Sequence, residues 1–356
     1  MLVSRRAFGA GVTALMAASG LGLPAIAADT AAAPAIDPAA LVNPELRPIL
    51  EAMKSRMNMP PLTAERLKQI RSMPMTAFLP KPLAEPAIVE KMIPGHAGDP
   101  DVKILLMGQK QDGKTRPAVL YIHGGGYILG SAWAEVLGAQ RLCTDLDCVV
   151  VMPEYRLAPE TRFPGSLEDN YAALQWIYTN ADSLGVDRNR IALVGGSAGG
   201  GHAAALAIAA RDRGEIPICC QVLIYPMLDD HTGSTHMLPP FIGTFGWSAS
   251  DNKLGWTSLL GVPAGSKTVP AGAVPARVKD LSRLPPTFIG VGTIDLFVEE
   301  DIEYAKRLVL AGVPTEMMLV PGAFHGFDQM APQSRIAKEF TAAWESELSA
   351  RFALPS

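Results

Sequence analysis

A serine flanked by glycines, Gly195-Gly196-Ser197-Ala198-Gly199-Gly200, joins an apolar run to an alanine-rich one, and this junction constrains the fold more than any other segment. Residues 190–195 read as a short buried strand. Residues 198–214 are rich in alanine, end in Arg211-Asp212-Arg213-Gly214 and read as a helix with a glycine stop. Strand, Gly-x-Ser-x-Gly, helix is the order of a nucleophile elbow, a sharp turn that holds a serine hydroxyl clear of the backbone. The turn needs small residues because strand and helix approach closely, so side chains on Gly195 or Gly199 would collide. At the helix N-terminus, the N–H of Ala198 and the helix dipole both favour a developing negative charge. With 33 glycines in the chain, the Gly-x-Ser-x-Gly pattern alone is weak, and the strand-then-helix context is what specifies it.

A second glycine-rich segment, His123-Gly124-Gly125-Gly126-Tyr127, lies upstream. It fits a loop that supplies further backbone N–H donors to an oxyanion hole. Together the two segments point to acyl transfer through a serine ester. A serine alcohol needs a base to take its proton, and the base needs an acid to orient it. With this elbow, the acid and then the histidine follow the serine, on loops after later strands. His96 and His123 precede Ser197, His202 lies within the elbow helix, and His231 and His236 precede every well-placed acid. His325, in Pro321-Gly322-Ala323-Phe324-His325-Gly326-Phe327, is therefore the candidate base. The loop after the strand-like run at 287–291 offers Asp295 as the acid, whereas Glu299, Glu300 and Asp301 look like the acidic first turn of a helix.

The chain has 356 residues, 48% hydrophobic and 19% charged, enough for one domain with an inserted or appended subdomain. Its net charge is −4 and becomes more negative without residues 1–27, which hold Arg5 and Arg6 and no acid. No basic cluster is present, which argues against a nucleic-acid partner. Ser4-Arg5-Arg6-Ala7-Phe8 resembles the twin-arginine pattern, and Ala25-Ile26-Ala27 offers a small-residue cleavage site. The stretch between holds Gly, Ser, Thr and Pro24 and would make a poor spanning helix. A cleaved signal over 1–27, a periplasmic or secreted protein and no stable membrane insertion are expected. The four cysteines have no zinc spacing. Cys219 and Cys220 read as buried strand residues, while Cys143 and Cys148 pair only if geometry brings them together.

Residues 28–48 are rich in Ala and Pro and read as a tether, followed by helical spacing over 45–57 and 63–73, so that 28–85 forms a tether with N-terminal cap helices. Strand-like runs follow at 87–93, 102–107, 118–122, 149–152, 191–194, 218–224, 287–291 and 316–320. From the third onward they alternate with helical segments such as 167–180, 198–213, 299–311 and 334–350. Such alternation predicts a mostly parallel sheet with helices on both faces. Residues 229–282 break it, and Trp247, Trp256 and Leu259-Leu260 argue for packed helices there. This insertion, between core parts 86–228 and 283–356, is expected to cap a mostly apolar pocket over the elbow.

His123-Gly124-Gly125-Gly126-Tyr127, Glu154-Tyr155-Arg156-Leu157-Ala158-Pro159-Glu160, Gly195 to Gly199, Asp295 and Phe324-His325-Gly326-Phe327 together resemble the hormone-sensitive-lipase family of esterases, in its bacterial carboxylesterase branch, over roughly residues 80–350. The resemblance implies an α/β-hydrolase fold, with an eight-stranded, mostly parallel sheet and a helical cap, and a Ser197–His325–Asp295 triad. It implies oxyanion-hole N–H groups from Gly125, Gly126 and Ala198, with His123 shaping the loop. It implies small-molecule substrates, short- to medium-chain carboxylic esters, cleaved through an acyl-enzyme with no metal or organic cofactor. Gly196 departs from the family, which often has an acid there, and Glu154 stands where Asp is common. Neither is a triad member, and the first bears on specificity or local rigidity. Arg156 and Glu160 are expected to be structural. Alternatives are the same triad acting on amide, lactone or carbamate substrates, or a non-catalytic small-ligand receptor on the same scaffold. The plant gibberellin receptors, which lose the histidine this chain keeps, illustrate the latter. An interfacial lipase lacks a supporting amphipathic basic helix.

Overall fold

The computed structural model describes residues 36–57, 60–73 and 79–354. The expected signal segment, 1–27, lies outside the described residues. Every expected strand run forms: β1 (Val89–Ile93), β2 (Val102–Met107), β3 (Arg116–Ile122), β4 (Val149–Pro153), β5 (Val186–Gly196), β6 (Cys220–Ile224), β7 (Thr287–Gly292) and β8 (Thr315–Val320). They make one sheet in the order β1-β2-β4-β3-β5-β6-β7-β8. β2 pairs antiparallel with β1 and β4, and every other pairing is parallel.

The central strands are continuous apolar runs because both of their faces are covered. β3, β4, β6 and β7 are buried from end to end. Alternate side chains of one strand serve different layers. Ala118, Leu120 and Ile122 of β3 pack with helices Gly165–Thr179, Ala198–Arg213 and Val298–Leu310. Val119 and Tyr121 pack with helices Val136–Asp145 and Arg335–Ala353 on the other face. Trimming a fully buried ring in this layer, such as Phe340, to alanine would cost about 3–5 kcal/mol.

In the segment 229–282 only Ala249–Leu260 is an α-helix, with a 3₁₀ turn at Pro275–Arg277. The expectation of several helices is corrected to one. The remainder is held by polar contacts rather than by a periodic apolar stripe. Asp230 is fully buried, and both its oxygens accept from Arg277 at 2.7 Å. Asn252 donates to the Thr232 carbonyl at 2.9 Å. Trp256, Leu259 and Leu260 join a third cluster with Ala198 and Tyr127. The N-terminal helix Ala64–Ser72 adds Leu67 to that cluster, and Leu62 N–H donates to Asp251 at 3.0 Å. The described end of the expected tether is docked: Val42 and Leu46 are buried, and Asn43 N–H donates to Gly322 O, beside the His325 loop, at 2.9 Å.

All four cysteines are free, and the Cys143 thiol donates to the Cys148 carbonyl at 3.0 Å instead of pairing with its sulfur. Cys220 is buried on β6, while Cys219 is partly buried just before it. Among the described residues no helix is long and apolar enough to cross a membrane.

Candidate active site

The elbow stands at the carboxyl end of β5. Ser197 has φ 56° and ψ −122°, a conformation costing about 1–3 kcal/mol that persists only when its surroundings impose it. Three backbone hydrogen bonds do so: Ser197 N–H donates to Ile224 O at 2.9 Å, and Ser197 O accepts from Gly201 and Met227, each at 3.0 Å. A Cβ on Gly195 would run into Gly199 O, and one on Gly199 into Ile122 O. These two glycines are therefore required by close backbone packing, as expected. Gly196 is not, since a Cβ there meets only the Tyr225 ring at 3.7 Å.

The structure brings Ser197, His325 and Asp295 into one line. His325 Nε2 lies 2.9 Å from Ser197 Oγ, and Nδ1 lies 2.9 Å from Asp295 Oδ2. A carboxylate only accepts, so Nδ1 carries the proton and Nε2 is left to accept from the serine hydroxyl. Asp295 is fully buried, and its other oxygen accepts the Phe297 N–H at 2.9 Å. The imidazole is held edge-on by Phe297, at 5.1 Å and 90°, and by Tyr225, at 4.7 Å and 64°.

The upstream glycine loop lies against the serine. A Cβ on Gly124 would stand 3.0 Å from Gly196 O and 3.4 Å from Ser197 Cβ. Gly125, Gly126 and Tyr127 have φ of 123°, 61° and 67°, a left-handed course that glycine adopts freely and tyrosine does not. Tyr127 is kept there by its hydroxyl on Met227 O at 2.8 Å and by Ala158 N–H on its carbonyl at 3.0 Å. His123 is buried, its Nδ1 on Gly124 O at 2.8 Å and its ring stacked on Tyr155 at 4.1 Å. Burial pulls its pKa down to about 4, so it is neutral at pH 7 and shapes the loop. Among the described residues, the N–H groups of Gly125, Gly126 and Ala198 have no hydrogen-bond acceptor. They remain free to meet a charge that develops beside Ser197.

The α/β-hydrolase fold family matches residues 119–329. Over 307 residues the chain is 31% identical to a carboxylesterase of Mycobacterium tuberculosis, NlhH, covering 85% of this chain and 94% of that protein. Esterase LipI of the same organism is 30% identical over 296 residues, covering 80% and 88%. The solved structure of a bacterial heroin esterase superimposes with TM-score 0.75 at 31% identity, covering 88% of this chain and 99% of that one. The chain belongs to the hormone-sensitive-lipase-like esterases. It is a carboxylic ester hydrolase on the α/β-hydrolase fold.

Other residues of this esterase escaped the sequence reading. Glu135, eleven residues beyond Gly124 in the chain, accepts the Gly124 N–H at 2.8 Å. Tyr225 links the His325 ring to Asp328, to which its hydroxyl donates at 2.8 Å. Trp247, known from the sequence only as an aromatic of the cap, lays its ring on Gly126. No fixed motif spacing marks any of them. Arg156 and Glu160 have the expected structural parts: Arg156 grips buried Asp169 at 2.7–3.0 Å, and Glu160 pairs with Arg71 at 2.7 Å. Glu154 accepts the Ala132 N–H at 3.1 Å, as a shorter Asp in its place would have to reach further to do. Asp229, Asp230 and His231 bring ligand-type atoms within 4.8 Å of one another. Because Arg277 takes both Asp230 oxygens, this group is an ion-paired corner of the cap.

Proposed function

We propose that this esterase is a serine hydrolase that cleaves short- to medium-chain carboxylic esters through an acyl-enzyme intermediate. The carrying observation is the unbroken line from Asp295 through His325 to Ser197, with 2.9 Å at each step, beside loops whose Gly125, Gly126 and Ala198 N–H groups are unpaired. His325 Nε2 takes the hydroxyl proton as Ser197 Oγ attacks the ester carbonyl. The oxyanion rests on the N–H groups of Gly125, Gly126 and Ala198 while Asp295, ionised, holds Nδ1–H. The C–O bond to the alcohol breaks as His325 returns the proton to it. Water then attacks the acyl-serine by the same route and releases the acid.

The cap supports the chain-length reading. Ser197 and His325 are each only 8% exposed. Gly246 packs on the His325 backbone and the Trp247 ring on Gly126, so the cap closes in directly above the reacting atoms. A short acyl chain suits such a confined site. Export as a folded protein through the Arg5-Arg6 signal, into the periplasm or the medium, completes the reading.

The test is hydrolysis of p-nitrophenyl acetate, butyrate, octanoate and palmitate by wild type and Ser197→Ala. Activity on the short chains that falls by roughly 10⁴-fold or more in the variant is expected. A variant rate near wild type sinks the assignment.

A further inference from the structure

Behind the two glycine loops lies a group of acids and tyrosines that the reaction above leaves unused. Glu135 stands at the N-cap of helix Val136–Asp145, yet its side chain makes no bond to that helix. It turns instead to Gly124, whose N–H it receives at 2.8 Å on Oε1. Gly124 is the residue of the loop wedged against Gly196 O and Ser197 Cβ. The second carboxyl oxygen, Oε2, is buried. The Tyr121 hydroxyl of β3 faces this carboxyl, as does Asp328, which follows His325. Tyr155 and Tyr225 lie close enough to feel its charge.

The carboxyl thus serves Gly124 and faces the Tyr121 hydroxyl instead of capping the helix it precedes. We propose that Glu135 is a positioning residue for hydrolysis: its ionised carboxylate pins Gly124 and thereby sets the oxyanion loop against Ser197. A charge-assisted hydrogen bond from an N–H to a carboxylate is about twice as strong as a neutral one, so protonating Glu135 loosens the loop. Burial, with Asp328 adding to it, pushes the Glu135 carboxyl up to about 7. The clamp is thus charged above neutral pH and lost progressively below it. The inference deepens the serine reading and rests on it.

The test measures kcat and KM on p-nitrophenyl butyrate from pH 5 to 9 for wild type, Glu135→Gln, Glu135→Ala and Ser197→Ala, with melting temperatures alongside. Glu135→Ala should lower kcat about 10- to 100-fold with KM changed by less than about threefold, because the loop acts on the developing oxyanion. Glu135→Gln keeps an oxygen for Gly124 but not the charge, and should lower kcat at pH 8 about three- to tenfold, as protonation of Glu135 does in wild type. Because Glu135 must also lose its proton, the acid limb of log kcat/KM should be steeper in wild type than in Glu135→Gln, where that proton is absent. Should Glu135→Ala fail to fold, the slope in Glu135→Gln decides. A folded Glu135→Ala with wild-type kcat, or the same acid limb in wild type and Glu135→Gln, overturns the inference. Activity that survives Ser197→Ala overturns the serine reading and the inference with it. Loss in Ser197→Ala beside unaffected Glu135 variants overturns the inference alone.

Discussion

Around Ser197 and in the loop that opens at His123, glycines cluster for different reasons. At Gly195 and Gly199 no positive φ is needed, and what excludes a side chain is another backbone: Gly199 O in one case, Ile122 O in the other. At Gly125 and Gly126 the backbone itself is left-handed, at φ 123° and 61°. Strain in the elbow is carried by the serine, at φ 56°, and in the upstream loop by Tyr127, at φ 67°. One loop is therefore built by packing alone, the other by conformation as well, since a Cβ on Gly125 would also run into Leu129 O. The elbow should fail by losing the fold, and the upstream loop by losing geometry and rate.

Each loop also leans on a buried neutral histidine, and here the largest effect on stability is expected. Burial lowers His123 to about 4, and burial with a contribution from His123 lowers His202, in the elbow helix, to about 3. Both folded pKa values lie below the unfolded value of about 6.5, so the folded state binds fewer protons. Their stabilising contribution is whole above pH 6.5 and is lost as pH falls from there toward 4. By pH 4.5 each histidine accounts for about 2–3 kcal/mol of lost stability. Glu135, Glu300 and Asp301, all raised by burial, act in the opposite sense and are common to wild type and variant. Urea unfolding at pH 7 and 4.5 isolates the elbow's share: His202→Leu should lose less than wild type on acidification, and equal losses would place the acid sensitivity elsewhere.

Next in size is Gly199→Ala, which drives a methyl into the Ile122 carbonyl and should cost about 2 kcal/mol in unfolding free energy. A smaller effect, mainly on rate, is expected for Gly126→Ala. There the added methyl meets φ 61° and the Trp247 ring, a side chain that can yield. Stability should fall by about 1 kcal/mol and kcat by about tenfold as the N–H tilts away from the oxyanion. A Gly126→Ala enzyme with unchanged kcat but greatly reduced stability would reverse the assignment of packing and conformation between the loops.

The difference between the loops also explains what the sequence could disclose. β3, β4, β6 and β7 were legible because strands covered on both faces are apolar almost throughout. The edge strand β8 was legible from Met317–Val320 although it is half exposed, and β5 from the apolar run that follows its polar start at Val186–Arg190. Ser197, His325 and Asp295 were legible because their chain order is tied to strand ends. The cap was not: its turns hang on Asp230 and Arg277, 47 residues apart, a pairing that leaves no period. Glu135 was invisible for a related reason. An acid before a helix suggests a cap, and only the fold shows that its carboxyl faces Gly124 instead.

The smallest predicted effect is the sharpest test of the packing account. Gly196 ends β5 immediately before the serine, at the variable position between Gly195 and Ser197, and it has no positive φ, while a Cβ there meets only the Tyr225 ring at 3.7 Å, an ordinary contact. Replacing glycine by alanine where the native backbone accepts it removes freedom mainly from the unfolded chain and stabilises by about 0.4–1 kcal/mol. Gly196→Ala should therefore keep kcat within about twofold and leave unfolding free energy unchanged or slightly raised, the opposite sign to Gly199→Ala only three residues on. Parallel urea titrations of the two variants read this directly. Were both to lose stability alike, the elbow's glycines would share a conformational requirement after all, and the contrast with the upstream loop would dissolve.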